Sequence, residues 1–432
     1  MSLARTRSTA LLTDHYELTM LQAALGSGTA ERRSVFELFA RRLPEGRRYG
    51  VVAGVGRALE AVAQFRFDDE VLTALERGNV VDGATLAWLA DYEFRGDIWG
   101  YAEGETYFPA SPVLVVESTF AEAVVLETVL LSIYNHDSAI ASAASRMTTA
   151  AGGRPCIEMG SRRTHEEAAV AAARAAWIAG FATTSNLAAA QRWGVPSAGT
   201  SAHSFTLLHD TERDAFTAQV DSLGVGTTLL VDTYDVAEAV RLGVEVAGTG
   251  LGAVRLDSGD LGALAHRVRA QLDTLGATGT RIVVTSDLDE YAIAALAAAP
   301  VDGYGVGTQL VTGSGHPTSG FVYKLVAREG GGEMVPVAKK SKDKASTGGR
   351  KYALRRRAPS GTATAEVVGI GTPPVDDGDD RALLVPLVSG GEVVGTEPLA
   401  AARERHERSR AELPLSAQQM SKGDPVIPTL VG

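Results

Sequence analysis

The pattern of apolar and polar positions changes character near residue 155. Upstream it is irregular. Asp14 followed by Glu17 reads as a capping box that opens a helix through Leu25. Val35–Phe39 alternates like a strand, and a turn rich in Pro, Gly and Arg follows over Leu43–Arg48. The periodicity predicts helices over Gly54–Gln64, Asp69–Glu76 and Gly83–Tyr92, and strands over Ile98–Tyr101 and Val113–Glu117. A long helical region spans Phe120–Ala151 and stops at Gly152-Gly153.

Downstream the pattern becomes regular. Short strand-like runs fall at Cys156–Met159, Phe181–Thr184, Ser197–Thr200, Thr228–Val231, Ala253–Leu256, Ile282–Thr285 and Gly303–Val306. Helical runs follow several of them, over Thr164–Ile178, Val236–Leu242, Leu261–Leu275 and Asp289–Ala298. Strands alternating with helices imply parallel pairing and an α/β architecture. About seven such units predict a closed or nearly closed α/β barrel, with an open doubly wound sheet as the alternative.

Beyond residue 325 the order breaks again. Lys339–Arg357 is strongly basic, and Asp376–Asp380 is an acidic turn. Short strands at Val367–Gly369 and Leu383–Leu387 and a charged helix over Pro398–Ala411 follow. These pieces are too fragmentary to enclose a core of their own. They are expected to pack with the N-terminal section as one composite domain. The expected division is residues 1–118, a barrel segment 119–325 that includes the leading helical region, and residues 326–432.

Composition narrows the class. The 432 residues are 45% hydrophobic, enough for a sizeable globular core. A formal net charge of −11 argues against a general binder of nucleic acid or anionic membrane, although a few local arginines can still hold a small anion. The single cysteine, Cys156, excludes an internal disulfide and fits a reducing cytoplasm. Its apolar neighbours, Pro155 and Ile157, predict a buried structural thiol. Met1–Met20 carries charges throughout and lacks the apolar core of a signal peptide. No uncharged apolar stretch is long enough to predict a membrane span.

Chemistry collects where the strands end. In α/β barrels, ligands sit on the loops after the strands. Those positions carry Gly160-Ser161-Arg162-Arg163, Ser185-Asn186, Gly199-Thr200-Ser201-Ala202-His203-Ser204, Asp232, Asp257-Ser258-Gly259-Asp260 with Arg255 just before, Ser286-Asp287, and Gly305-Val306-Gly307-Thr308. His203 is the leading candidate for a reactive imidazole, since its small-residue loop lets a ligand approach closely. Each piece has a plainer reading. Asp260 and Asp287 can be helix caps, the paired arginines can be solvated charges, and the glycines can simply make a turn. There is no phosphate-binding loop with a Gly-Lys pair, no dinucleotide fingerprint and no Cys/His zinc pattern. Magnesium carried by substrate phosphates, with help from Asp257 or Asp287, stays open.

The ordered set of segments resembles the nicotinate phosphoribosyltransferases, of the type II phosphoribosyltransferase group. It begins with Leu12-Thr13-Asp14-His15-Tyr16-Glu17-Leu18-Thr19-Met20 and Glu158-Met159-Gly160-Ser161-Arg162-Arg163. It continues through the His203 loop, Arg255–Asp260, Thr285-Ser286-Asp287, Tyr304–Thr308 and Val322-Tyr323-Lys324-Leu325. The resemblance implies an irregular α/β barrel beside a sandwich built from both chain ends. It implies the joining of nicotinate to phosphoribosyl pyrophosphate, driven by ATP through a phosphohistidine that by position is His203. Magnesium is expected with the phosphates. A homodimer with shared active sites is implied, with Tyr16 reaching the pyridine ring from the partner subunit.

By the same resemblance, Asp257 suits the ribose hydroxyls and Arg255 a phosphate. Asp287, Gly305, Gly307 and Thr308 suit the ribose and 5′-phosphate end. Thr200 and Ser204 flank the histidine, and Arg162 lies near the ring or the phosphates. Met159 stands where the related nicotinamide-using enzyme has an aromatic ring. Ser185 stands where that enzyme has an aspartate, which favours an acid over an amide substrate. A barrel phosphoribosyltransferase for nicotinamide or quinolinate, an aldolase and a non-catalytic nucleotide-binding regulator are the rival readings. No Schiff-base lysine lies at a strand end, and His203, Asp257 and Asp287 are all in place.

Overall fold

A computed structural model describes residues 8–339 and 346–432. The chain divides into two compact units, one ending at Ala139 and resuming at Thr318–Gly432, the other spanning Ile140–Pro317.

The Ile140–Pro317 unit holds a six-stranded parallel sheet. Its order is Thr183–Thr184, Cys156–Glu158, Gly303–Val306, Arg281–Ser286, Ala253–Leu256 and Thr228–Leu230. The expected strand at Ser197–Thr200 is a correction: it reduces to one parallel bridge, between Ser197 and Thr184. Residues 196–200 are exposed, so no apolar face holds that segment in a ladder. Helices Glu166–Ile178, Val236–Ala247 and Leu261–Thr274 follow strands as the alternation requires. Asp235 and Asp260 cap the latter two, accepting from Glu238 N and Ala263 N. Strands buried on both faces are rich in Val, Ile and Leu, and Val254, Leu256, Ile282 and Val284 fill this core. Cys156 is buried in it, and burial pushes its thiol up to about 12, which suits a structural role.

The other unit joins both chain ends in a seven-stranded antiparallel sheet. Arg33–Ala40 lies inside it, between Leu114–Thr119 and Phe321–Gly330. Asp97–Tyr101 then pairs with Leu384–Ser389. One core runs through this unit, with Leu18, Leu21, Phe36, Leu38, Val124 and Tyr323 among its buried members. Phe36 stacks on Tyr323 with centroids 4.9 Å apart. The tail therefore shares the N-terminal core. The helix His15–Gly26 has the expected Asp14/Glu17 capping box. The Phe120–Ala151 region is two helices, Phe120–Val124 and Glu127–Ala151.

Part of the basic stretch folds as the strand Lys351–Arg357, paired with Ala363–Ile370; Lys340 and residues 341–345 lie outside the described residues. Lys351 and Arg355 are buried against Glu37 and Glu366. The acidic turn folds back on Arg356, whose guanidinium meets Asp380 at 3.1 Å. Among the described residues no helix is long and apolar enough to cross a membrane.

Candidate active site

Parallel register places the strand ends on one edge of the sheet. Arg255 lies level with Val283 and Leu230, and Glu158 is level with Val306 and Thr184. The loops that follow these strands therefore share one rim.

The first cluster forms around His203, the first residue of the short helix His203–Leu208. Its Nδ1 lies 3.1 Å from Thr233 Oγ1. Its Nε2 lies 3.9 Å from Asp232 Oδ1 and 4.0 Å from Asp257 Oδ2. The imidazole is 42% exposed and thus open to a ligand. Arg255 is the hub beneath it. Its guanidinium donates to Thr285 Oγ1 at 2.9 Å, Thr200 Oγ1 at 3.1 Å, Ser201 O at 3.3 Å and Asp257 Oδ1 at 2.9 Å. Thr285 also donates to Asp257. Burial pushes the Asp257 carboxyl up, but the hydrogen bonds from Thr285 and Arg255 and the nearby Arg255 charge outweigh it. The net position is below the usual aspartate range. Asp257 is thus an anion held ready, with its side chain 35% exposed.

Asp232 is the residue whose role sequence reasoning missed. Its Oδ2 accepts from Asp257 N at 2.9 Å and Ser258 Oγ at 2.8 Å. Its side chain is 3% exposed, and its Oδ1, facing the histidine, accepts no hydrogen bond. The signal was an acid at a strand end. Nothing local distinguished it from a turn residue.

The second cluster lies at the other end of the rim. Met159 N donates to Val306 O at 2.8 Å. A side chain on Gly305 would reach within 2.8 Å of the Met159 sulfur and 2.4 Å of Thr285, so only glycine lets the thioether lie over that strand. Gly307 caps the short helix Thr308–Val311. Asn186, not Ser185, caps the helix Leu187–Trp193, accepting from Ala189 N at 2.9 Å. Ser185 is exposed and free of a capping duty. Asp287 also caps no helix; Asp289 does, accepting from Ala292 N. The reading of Asp287 as a helix cap is thereby removed. Asp260 does act as a cap. Arg162, Arg163 and Ser204 are exposed on this rim.

Tyr16 belongs to the other unit, on the helix His15–Gly26, and is 44% exposed. Burial of its hydroxyl, then the carboxylates of Glu127 and Glu17, raise its pKa well above the ordinary value.

Fold and rim together define a class: an α/β enzyme fold that gathers acids, hydroxyls, a guanidinium and close-approach glycines on the C-terminal edge of a parallel sheet. The chain belongs to the nicotinate phosphoribosyltransferase family. The model of that family's N-terminal domain matches residues 11–135, and the nicotinate phosphoribosyltransferase (NAPRTase) family model matches residues 155–364. Nicotinate phosphoribosyltransferase pncB1 of Mycobacterium tuberculosis is 60% identical over 428 residues, covering 97% of this chain and 94% of that protein. The Bacillus subtilis enzyme is 38% identical, covering 81% and 73%. The crystal structure of human nicotinic acid phosphoribosyltransferase superposes with a TM-score of 0.81 at 25% identity, covering 98% of this chain and 97% of that one.

Proposed function

We propose that this chain joins nicotinate to phosphoribosyl pyrophosphate with ATP as the driving co-substrate, and that the rim described above is the site. The observation that carries the reading is the convergence of Asp232 and Asp257 on an open His203 imidazole, with Arg255 beneath.

The nicotinate ring nitrogen attacks C1 of the ribose, and the C1–oxygen bond to pyrophosphate breaks. Nicotinate mononucleotide and pyrophosphate leave. Positive charge grows on the ribose ring as the bond breaks, and negative charge on the leaving phosphates. Asp257 holds the ribose hydroxyls and its charge opposes the growing positive charge. Arg255 neutralises phosphate, and the exposed Arg162 meets the nicotinate carboxylate. Asp287, Gly305, Gly307 and Thr308 hold the 5′-phosphate end. Met159 and Ser185 contact the pyridine ring. His203 takes the terminal phosphoryl group of ATP: a phosphorus–nitrogen bond forms as the bond to ADP breaks. Asp232 and Thr233 orient the ring, while Thr200 and Ser204 lie beside the transferred group.

Magnesium fits this donor set. Asp232 Oδ1 is a buried carboxylate oxygen without a hydrogen bond, and Asp257 keeps Oδ2 clear of Arg255. Such hard oxygens suit a cation that arrives on phosphates. When bound, it would screen phosphate charge.

The parallel sheet is read as an irregular barrel within residues 119–325. The companion sandwich is built from both chain ends. A homodimer brings Tyr16 of the partner subunit to the ring. The lone buried thiol suits a reducing cytoplasm.

The test is a product assay with nicotinate, nicotinamide and quinolinate, each with and without ATP. Nicotinate mononucleotide formed from nicotinate and stimulated by ATP supports the reading. Preference for either other substrate overturns it.

A further inference from the structure

Glu158 is fully buried at the end of the strand Cys156–Glu158. Among the described residues it makes no ion pair. Its carboxylate instead accepts from two neighbouring segments: Oε1 from Gly160 N and Oε2 from Thr184 Oγ1. Its own carbonyl accepts from Ser185 N at 2.8 Å. Thr184 Oγ1 then accepts from Asn186 N at 2.9 Å, and Asn186 Nδ2 donates to Ser161 Oγ at 3.0 Å. The bonds close a ring. It joins the bend that carries Met159 and Arg162 to the turn that carries Ser185. Only glycine fits at 160, since a Cβ there would sit 2.2 Å from Val311.

Burying an unpaired carboxylate is costly, and a protein gains little stability by choosing one over an apolar side chain. Burial does raise the Glu158 pKa, with the Thr184 and Gly160 hydrogen bonds pulling the other way. A group retained at such cost is better explained by the geometry it fixes. We infer that Glu158 is the positioning residue for the pyridine end of the site, holding Arg162 and Ser185 at a fixed separation and so setting the affinity for the aromatic acid. This rests on the substrate reading above.

The test compares Glu158→Ala, Glu158→Gln and Thr184→Val in the full-length enzyme. KM for nicotinate and for phosphoribosyl pyrophosphate, kcat and melting temperature are measured for each. A displacement of about 1 Å in a positioning group costs on the order of 10²-fold. Glu158→Ala and Thr184→Val should therefore lower kcat/KM for nicotinate by about 10–100-fold, through a raised nicotinate KM. The KM for phosphoribosyl pyrophosphate should stay within about twofold, because its pyrophosphate side is held by Arg255 and its 5′-phosphate by the Gly305–Thr308 backbone, and the Glu158 side chain bonds neither.

Glu158→Gln should recover most of the loss. Its amide oxygen can take the Gly160 N–H, and its amide N–H can donate to Thr184 Oγ1. Hydrogen exchange of the ligand-free proteins supplies a second readout. Amides at 160–163 and at 185–186 should lose protection together in Glu158→Ala and keep it in Glu158→Gln. Equal shifts of both KM values, or a lowered melting temperature with both KM values unchanged, would overturn the inference. If Glu158→Ala does not fold, Thr184→Val gives the same KM comparison. A wild-type enzyme inactive on nicotinate would instead remove the substrate reading, and this inference with it.

Discussion

Replacing Asp257 by Asn separates a ligand-binding acid from a structural one. The amide keeps an acceptor oxygen, so the hydrogen bond from Thr285 can survive. What disappears is the charge opposite Arg255, 2.9 Å away. Asp257 is 35% exposed, so solvent screens that pair, and its worth is about 0.2–1 kcal/mol. A loss of ~1 kcal/mol lowers the melting temperature of a unit this size by about 2–4 °C. The catalytic cost is larger. An anion fixed beside a developing positive charge contributes about 2.7–4 kcal/mol, so kcat/KM should fall roughly 10²–10³-fold. The assay is pyrophosphate release over a range of substrate, with thermal melting on the same samples. A kcat/KM within about threefold of wild type would refute the role given to Asp257. So would a melting temperature lowered by more than about 10 °C, since the acid would then be serving the fold.

Ser185→Asp should lower kcat/KM for nicotinate and raise it for nicotinamide, shifting their ratio by on the order of 10–10²-fold. Because Ser185 is exposed, the fold should tolerate the charge and the penalty should arise only under a bound carboxylate; an unchanged ratio assigns the choice elsewhere. Mixing inactive Tyr16→Ala and His203→Ala subunits should restore part of the activity if Tyr16 acts across a dimer. Absence of recovery after verified subunit exchange counts against it. The buried His406 gives a pH prediction. Burial, then the charges of Arg410 and Arg403, depress its pKa from 6.5 to about 3. Between those values the unfolded chain takes up a proton that the folded chain refuses. The stability present above pH 6.5 is therefore lost as pH falls, by about 1.4 kcal/mol per unit. His406→Gln should flatten the decline in melting temperature between about pH 6.5 and 5; an unaltered slope contradicts the assignment.

Periodicity exposed the parallel sheet because buried strands and amphipathic helices leave different spacings. It failed at Ser197–Thr200, where a short run of small residues looks like a strand but has no face to bury. It also missed the strand Lys351–Arg357. The charges there read as a solvated basic segment, yet Lys351 meets Glu37 and Arg355 meets Glu366 inside the fold. Partners more than three hundred residues apart, as Glu37 and Lys351 are, leave no local trace. The rim was legible as strand ends rich in polar residues. Its internal bonding was not. That Asn186 and Asp289 do the capping, leaving Ser185 and Asp287 free, depends on backbone direction at single residues. Asp232 and Glu158 gain their roles only when neighbouring strands are aligned.

The most direct test of the account is the fate of the terminal phosphate of ATP. Wild-type enzyme and a folded His203→Ala variant would each receive γ-labelled ATP, with acid-labile label and ATP-stimulated nicotinate mononucleotide formation read together. The account predicts label that maps to His203 in the wild type. In the variant, both the label and the ATP stimulation should be lost. Acid-labile label that persists in His203→Ala, or ATP stimulation that survives there, would contradict it.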